Sequence, residues 1–316
     1  MTSTKTKKSK IVILGKLPPP FYGPAVATQL LMHSRVCEVF NVRHYNTGIH
    51  QEFATLGQVK ISSVFKNIRL YIGMCQCLLK YRPSIVLIPI SQTSVGILKD
   101  SVFVLLARLF SDNVLIILRG SEIRQWYDRV NIFQRSIFRY IVGGVRGALV
   151  LSARLRFLFE SVLPDEKIFV VTNGLDVPRR EKCEVSNPAR LAYISNLQRS
   201  KGILDVILAA KILGNRNVAY HLEVYGSWYD MKTRAECEGI IIDNELPVVL
   251  NGPISNHQEK MAALAKSDIY VFVPRAPEGL PWAVIEALGT GLPIISTNQG
   301  AIADMVRDGI NGFIVN

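Results

Sequence analysis

Short runs rich in valine and isoleucine recur along the chain, each followed by a longer segment with helical spacing. Runs that are apolar on both faces are typical of strands buried in a parallel sheet. Their alternation with helices predicts a doubly wound α/β fold. The runs are KIVILG (10–15), SIVLIPI (84–90), NVLIILRG (113–120), GALVLS (147–152), IFVVTNG (168–174), RLAYIS (190–195), YHLEVYG (220–226), PVVLNG (247–252), DIYVFVP (268–274) and LPIIST (292–297).

The ten runs form two sets of five, separated near residues 174–189 by a polar, proline-bearing segment. A chain of 316 residues is long enough for two domains with a core each. We therefore expect an N-terminal domain over residues 1–176 and a C-terminal domain over residues 177–316. Both should be Rossmann-like, with ligands bound beyond the carboxyl ends of the strands.

The charge of the chain is unevenly distributed. Residues 1–175 hold 23 Lys and Arg against 9 Asp and Glu, a net charge of +14. Residues 176–316 hold 14 against 16, a net charge of −2. A basic domain favours an acidic partner such as nucleic acid, anionic lipid or a phosphorylated substrate.

The sequence also bears on the compartment. The apolar runs are interrupted by charges before they reach the length of a membrane helix, and the run after the basic N-terminus is too short for a signal peptide. The five cysteines have no zinc-ligand spacing, which fits a reducing compartment. We therefore predict a cytoplasmic protein.

The segment PRAPEGLPWAVIEALGTGLPIIST (274–297) carries two glutamates eight positions apart. Pro281 suits the first turn of a helix, which we predict to run to Leu288. Glu278 would lie in the preceding loop and Glu286 on the helix, near amides that favour an anion. These groups suit a phosphorylated ligand rich in hydroxyls. Spacing alone leaves open that Glu278 only caps the helix and Glu286 is exposed.

This segment resembles the E-x7-E motif of retaining glycosyltransferases of the GT-B fold, family four, known as glycosyl transferases group 1. Four other blocks resemble blocks of the same family in the same order, the last as a glycine turn, an acidic position and a hairpin. They are KLPPPFYGPAVAT (16–28), VTNGLD (171–176), AYISNLQRSKGI (192–203) and NQGAIADMVRDGINGFIV (298–315).

The resemblance implies two Rossmann-like domains facing a cleft that holds the active site. It also implies metal-independent transfer of a sugar from a UDP or GDP sugar, with retention at the anomeric carbon. Relatives usually continue with further helices, so the C-terminal helices are expected to be missing after GFIVN (312–316).

The resemblance also implies roles for single residues. Glu286 should bind the ribose hydroxyls of the donor, and Lys201 should neutralise its diphosphate. Gly23 should let the backbone of the first loop approach the phosphates. The donor sugar and distal phosphate should contact Glu278, Gly279 and Leu280.

Some positions depart from the family pattern. Asn196 stands where an arginine is usual, and Arg199 is the nearest cation that could replace it. Arg119 stands where a histidine is frequent; its guanidinium stays protonated and cannot act as a base. It could bind a phosphate or carboxylate, or be a structural residue at a strand end. The predicted catalytic set is Lys201, Arg199, Glu278 and Arg119, with no metal.

Two basic, aromatic segments, 62–81 and 124–147, could place helices on an anionic membrane. In the second, Phe133, Ile137 and Ile141 share helical spacing, and Arg135 and Arg139 form another row. A solvated basic face is the alternative.

We expect as partners a nucleotide sugar, a glycan or lipid-linked acceptor and the inner face of a membrane, in polysaccharide or glycolipid synthesis, with no nucleic acid and no cofactor. Two other functions stay open. One is a degenerate partner protein that binds sugar nucleotides without turnover. The other is an isomerase or phosphorylase with the same fold.

Overall fold

A computed structural model describes residues 8–18, 23–48, 61–175, 185–254 and 256–316, without the side chains of 61–64. Its contacts divide the chain into two compact units, Met1–Val171 and Thr172–Asn316. The predicted boundary at 176/177 lies outside the described residues, as do Cys183 and the lysine-rich residues 1–7.

The first unit is built on a parallel sheet with helices between its strands. Its strands are β1 (Lys10–Gly15), β2 (Asn41–Asn46), β3 (Ile85–Ile90), β4 (Val114–Leu118), β5 (Gly147–Val150) and β6 (Ile168–Val170). Its helices are α1 (Gly23–Met32), α2 (Val36–Val39), α3 (Ile61–Tyr81), α4 (Ser94–Arg108), α5 (Ile123–Arg129) and α6 (Ile132–Gly143), with 3-10 turns at Ala153–Leu158 and Asp165–Lys167.

The strand order in this sheet is β2-β1-β3-β4-β5-β6, and every pair is parallel. The central strands are apolar on both faces, and Val12, Val86 and Ile116 are completely buried. Helix α4 packs against both α3 and α6. The order reverses at β1 and β3, which is where open α/β sheets bind ligands at their carboxyl edge.

The second unit repeats this plan. Its strands are β7 (Ala189–Ile194), β8 (Tyr220–Tyr225), β9 (Val248–Gly252), β10 (Ile269–Phe272), β11 (Ile294–Thr297) and β12 (Gly312–Val315). Its helices are α7 (Ile203–Asn215), α8 (Met231–Asp243), α9 (His257–Ala265), α10 (Trp282–Gly289) and α11 (Ile302–Met305). The parallel order is β12-β11-β10-β7-β8-β9.

The predicted fold class is confirmed, because both units hold parallel six-stranded sheets with helical crossovers. Each sheet has one strand that the sequence analysis missed. The first is β2, NVRHYN, an edge strand with no fully buried residue. The second is β12, which pairs in parallel with β11. The expected hairpin at this place is wrong, because residues 307–311 turn into a further sheet strand.

The basic segment 124–147 also differs from expectation. It forms two helices, α5 and α6, instead of one amphipathic stretch. Its expected apolar row is divided, because Phe133 is 71% exposed whereas Ile141 is buried in the core. Arg135 does not belong to a free cationic row, since it donates to the carbonyl oxygens of Tyr127 and Asp128 at 2.8 and 2.6 Å.

Candidate active site

The predicted donor-binding residues gather at the carboxyl edge of the second sheet. Strands β7 and β10 are neighbours there, and the segments that follow them approach each other. The amides of Arg275 and Ala276 both donate to the carbonyl oxygen of Ser200, at 2.9 and 3.3 Å. These bonds join the Lys201 turn to the Glu278 loop, although the two residues are 77 positions apart.

The turn after β7 depends on Gly202. Its φ is +81°, in the left-handed region that favours glycine. A Cβ at this position would lie 1.9 Å from the carbonyl oxygen of Val273, so no side chain fits. The turn consists of a 3-10 segment, Arg199–Lys201, and Tyr193 donates to the carbonyl oxygen of Lys201 at 2.9 Å. Burial raises the pKa of Tyr193, which keeps the phenol a donor.

Lys201 and Glu278 form an ion pair through Nζ and Oε1. Their side chains are 25% and 12% exposed, so the pair is sheltered but reachable from solvent. The backbone of Glu278 is held by close packing against Gly300, where a Cβ would lie 1.7 Å from the Glu278 carbonyl oxygen. The Glu278 carboxylate therefore lies within reach of Lys201, the lysine that was expected to neutralise the diphosphate.

Glu286 is almost completely buried, with a relative exposure of 2%. Lys260 Nζ donates to both of its carboxylate oxygens, at 3.0 Å to Oε1 and 2.9 Å to Oε2. His257 Nδ1 lies 3.6 Å from Oε1. This burial excludes the alternative of an exposed helix residue, because a buried carboxylate needs partners.

Sequence reasoning missed both partners of Glu286. Lys260 and His257 lie on α9, which begins after the N-cap Asn256; the Asn256 side chain accepts from the amide of Glu259 at 2.7 Å. A lysine three positions after a histidine lies on the same helix face. That signal was present in the sequence, but only the packing of α9 against α10 indicates that this face meets Glu286.

The N-terminus of α10 has the geometry that the sequence predicted, one residue later than expected. Pro281 is its N-cap, and the proline side chain makes no capping hydrogen bond. The first intrahelical bonds run from Val284 and Ile285 to the Pro281 carbonyl oxygen. Gly279 is buried and so is Leu280, whose carbonyl oxygen accepts from Asn173 Nδ2 at 3.1 Å.

Arg199 lies in the same turn as Lys201 but pairs with Glu236 of α8. Both side chains of that pair are more than a third exposed. Asn196 is also exposed. The structure thus pairs Lys201 with Glu278 in the segments that follow β7 and β10, and buries Gly279, Leu280 and Glu286 in the same stretch of chain as Glu278. It pairs Arg199 with Glu236.

Two predicted residues belong to the first unit. Gly23 does not lie in the loop, as expected, but is the first residue of α1; residues 19–22 are outside the described part. Arg119 directly follows β4, and burial lowers the pKa of its guanidinium to about 10.

Two further properties concern the described residues as a whole. No three or more His, Cys, Asp and Glu side chains among them come together as a ligand set for a metal ion. In the same ranges, no helix combines the length and the apolar character needed to span a membrane.

Comparison with known proteins relates the second half of the chain to a family. Residues 178–316 match the model of the family "Glycosyl transferases group 1". The putative colanic acid biosynthesis glycosyltransferase WcaL of Salmonella typhimurium is 27% identical over 163 residues. That match covers 48% of this chain and only 39% of the relative.

Solved structures share the fold over nearly the whole chain. The lipopolysaccharide outer core galactosyltransferase WaaB superposes with a TM-score of 0.65 at 17% identity, covering 97% of this chain and 86% of that one. HepE of Anabaena, crystallised with UDP and glucose, gives 0.65 at 16% identity, with 98% and 86% covered. Residues 178–316 therefore match the model of the glycosyl transferases group 1, and the chain has the GT-B fold.

Proposed function

We propose that the protein is a retaining glycosyltransferase that moves a hexose from a nucleoside-diphosphate sugar to a glycan or lipid-linked acceptor. The observation that carries this proposal is the pair of lysine–carboxylate contacts at one sheet edge, Lys201 with Glu278 and Lys260 with Glu286. They lie inside the segment that matches the family model. The names of similar proteins, a colanic acid biosynthesis glycosyltransferase and a lipopolysaccharide galactosyltransferase, support a role in the synthesis of surface polysaccharides or glycolipids.

In this proposal Glu286 binds the ribose of the donor. A carboxylate accepts hydrogen bonds from two neighbouring hydroxyls, and burial makes such bonds stronger than in water. Lys260 orients both carboxylate oxygens of Glu286 and places a positive charge beside this buried group. The donor base stays open between uracil and guanine; HepE, a protein of similar fold, was crystallised with UDP.

The diphosphate would lie between Lys201 and the N-terminus of α10. A lysine is a point charge suited to phosphate, and helix amides favour an anion. The bond from the anomeric carbon to the phosphate oxygen breaks as the acceptor oxygen bonds to that carbon from the same face. The acceptor proton passes to the departing diphosphate, so no protein base is required. Lys201 and the amides stabilise the charge that develops on the diphosphate, without a metal.

Glu278 has two roles in this scheme. Its carboxylate accepts from hydroxyls of the transferred sugar, and it holds Lys201 through the ion pair. Because the ion pair with Glu278 already holds Lys201, the lysine is in position before the donor binds. The diphosphate then becomes its second anionic partner. Such preorganisation lowers the cost of stabilising charge in the transition state.

The first unit would bind the acceptor and, for a lipid-linked acceptor, a membrane surface. Helix α3 presents an exposed apolar stripe formed by Phe65, Ile68, Ile72 and Leu79. Lys66 and Arg69 are exposed beside it, and the N-terminal half of the chain carries a charge of +14. An apolar stripe with cationic neighbours suits the anionic inner face of a membrane.

The experiment that tests the proposal measures sugar transfer from UDP and GDP sugars to a lipid-linked acceptor fraction, using Lys201→Ala and the control Lys266→Ala. Lys266 is exposed and lies just before β10 begins, at the sheet edge opposite to the Lys201 turn, because β7 and β10 are parallel. We expect Lys201→Ala to lose about 100-fold or more of kcat, by analogy with removal of one charge-stabilising donor, and the control to keep full activity. Full activity in Lys201→Ala would refute the proposed role of Lys201. If the unmodified protein binds the donor but transfers no sugar, the proposal that it is an enzyme is refuted.

A further inference from the structure

The carboxyl edge of the first sheet contains two partly buried cations, Arg119 and Lys16. Arg119 follows β4, and its Nε is buried without a hydrogen-bond acceptor. Lys16 follows β1 and is partly buried; the Asp100 carboxylate attracts its charge and raises its pKa, against the lowering by burial. A buried unpaired charge is costly, and protein cores normally pair it.

The strand order places these two cations on the same side of the sheet. Strands β1, β3 and β4 are consecutive neighbours and parallel, so the residues after them lie along one edge. Lys16 follows the first, Gln92 the second and Arg119 the third. This is also the place where the strand order reverses, and open α/β sheets bind ligands there.

Acidic residues at this edge do not neutralise Arg119. Asp100 is engaged by the Ser91 amide at 2.8 Å and lies 3.4 Å from Lys99. It is also near Lys16, whose pKa is lowered first by burial and then by Lys99. For Arg119, burial is the one influence on the pKa, so no described carboxylate acts on it.

The segment after β4 is rigidly placed and has a second unsatisfied group. Gln92 lies against Gly120, where a Cβ would meet Gln92 Nε2 at 1.8 Å, and Gln92 Oε1 accepts from the Glu122 amide at 2.5 Å. Ser121 Oγ is buried, and it too has no hydrogen-bond partner among the described residues. Arg119 Nε and Ser121 Oγ can both donate, which calls for a ligand with acceptor oxygens.

We infer that this edge of the first unit is an anion-binding site, centred on Arg119 with Ser121 and Lys16, that takes a phosphate or carboxylate group of the acceptor. A guanidinium binds either group through two parallel hydrogen bonds. The donor phosphates already have a site in the second unit. Assigning the anion to the acceptor rests on the proposed function, whereas the existence of the site does not.

The test titrates the whole chain with inorganic phosphate and with D-glucuronate, each in the presence of saturating UDP or GDP. We expect at least one probe to bind, and Arg119→Met to weaken its Kd about 10-fold or more, since a charge-assisted hydrogen bond contributes that much. The probe that binds more tightly identifies the anion as phosphate or carboxylate. The control is Arg108→Met, because Arg108 also has a buried unpartnered nitrogen but lies at the far end of α4, stacked on Tyr140 at 5.6 Å.

A structural arginine would behave differently. The melting temperature of ligand-free Arg119→Met should equal or exceed that of the unmodified chain, because the substitution removes an unpaired buried charge. A fall of several degrees in both Arg119→Met and Arg119→Lys would mean a structural role and overturn the inference. So would binding of neither probe, binding unaffected by Arg119→Met, or displacement of the probe by the nucleotide. If Glu286→Ala loses nucleotide binding but still binds the probe, the result concerns only the donor site. The two proposals can therefore fail independently of each other.

Discussion

Lys260 Nζ donates to both carboxylate oxygens of Glu286, at 3.0 and 2.9 Å, although the two residues belong to different helices. Glu286 is 2% exposed, so Lys260 supplies most of the compensation for a buried negative charge. The proposed donor site therefore depends on a residue that no motif in the sequence indicated.

Lys260→Met should destabilise the second unit. Breaking a buried ion pair leaves an uncompensated charge, and we expect a loss of about 2–3 kcal/mol in the free energy of unfolding. The loss stays below the range for fully buried pairs because the Lys260 side chain is 24% exposed. Urea denaturation measures it, and adding Glu286→Gln should recover part of the loss. Strictly additive effects of the two substitutions would contradict the pairing.

The matched control is Arg234→Ala. Arg234 and Glu238 form an i,i+4 pair at 2.8 Å on α8, and both side chains are about as exposed as an ordinary surface pair. Removing such a pair should change the free energy of unfolding by less than about 0.5 kcal/mol.

Gly202→Ala should disrupt the Lys201 turn. The backbone there has a φ of +81°, and the new Cβ would meet the Val273 carbonyl oxygen at 1.9 Å. We expect a loss of about 2 kcal/mol or more, together with weaker nucleotide binding, since the turn carries Lys201. Gly214→Ala is the control, because that helical position has room for a methyl group and should gain about 0.5 kcal/mol. Equal effects of both substitutions would contradict the account.

His44 should make stability depend on pH. Burial lowers the pKa of this imidazole, and its Nε2 donates to the Gly15 carbonyl oxygen at 3.0 Å. Below the unfolded pKa of about 6.5 the unfolded chain binds the proton more readily, so stability is present above that pH and is lost as pH falls. One proton accounts for at most about 1.4 kcal/mol per pH unit. His44→Gln should reduce the change in melting temperature between pH 7 and pH 5. His33 is exposed, and His33→Gln should leave that change as it is in the unmodified chain.

Membrane binding should depend on the exposed stripe of α3. Phe65 and Ile72 are 70% and 54% exposed, and a charge at either position would have to enter the acyl boundary. Phe65→Asp with Ile72→Asp should abolish sedimentation with vesicles rich in phosphatidylglycerol. Ile242→Asp, at an equally exposed apolar position of α8, should sediment like the unmodified chain. If all three proteins sediment equally, α3 is not the contact.

Local sequence patterns predicted the fold class, because apolar runs and the glycines that end helices involve residues that are neighbours in the chain. The missed strands are edge strands: β2 carries His44 and Arg43 and buries no residue fully, so its sequence resembles a loop. Lys201, Glu278 and Glu286 were assigned to the site because they lie in segments that resemble the family's motifs. The Glu286 contact with Lys260 spans 26 positions and the Arg199 contact with Glu236 spans 37, and side-chain pairing over such separations depends on tertiary packing.

The central claim is that Glu286 belongs to a nucleotide-sugar site, and thermal stabilisation by ligands tests it most directly. The melting temperature would be measured with UDP, GDP, ADP and their sugars, for the unmodified chain and for Glu286→Ala. Ligand at about 100 times its Kd should add about 2.7 kcal/mol of stability. We predict stabilisation by one nucleotide series, lost in Glu286→Ala. Stabilisation by none of them, or an equal shift in the variant, would contradict the claim.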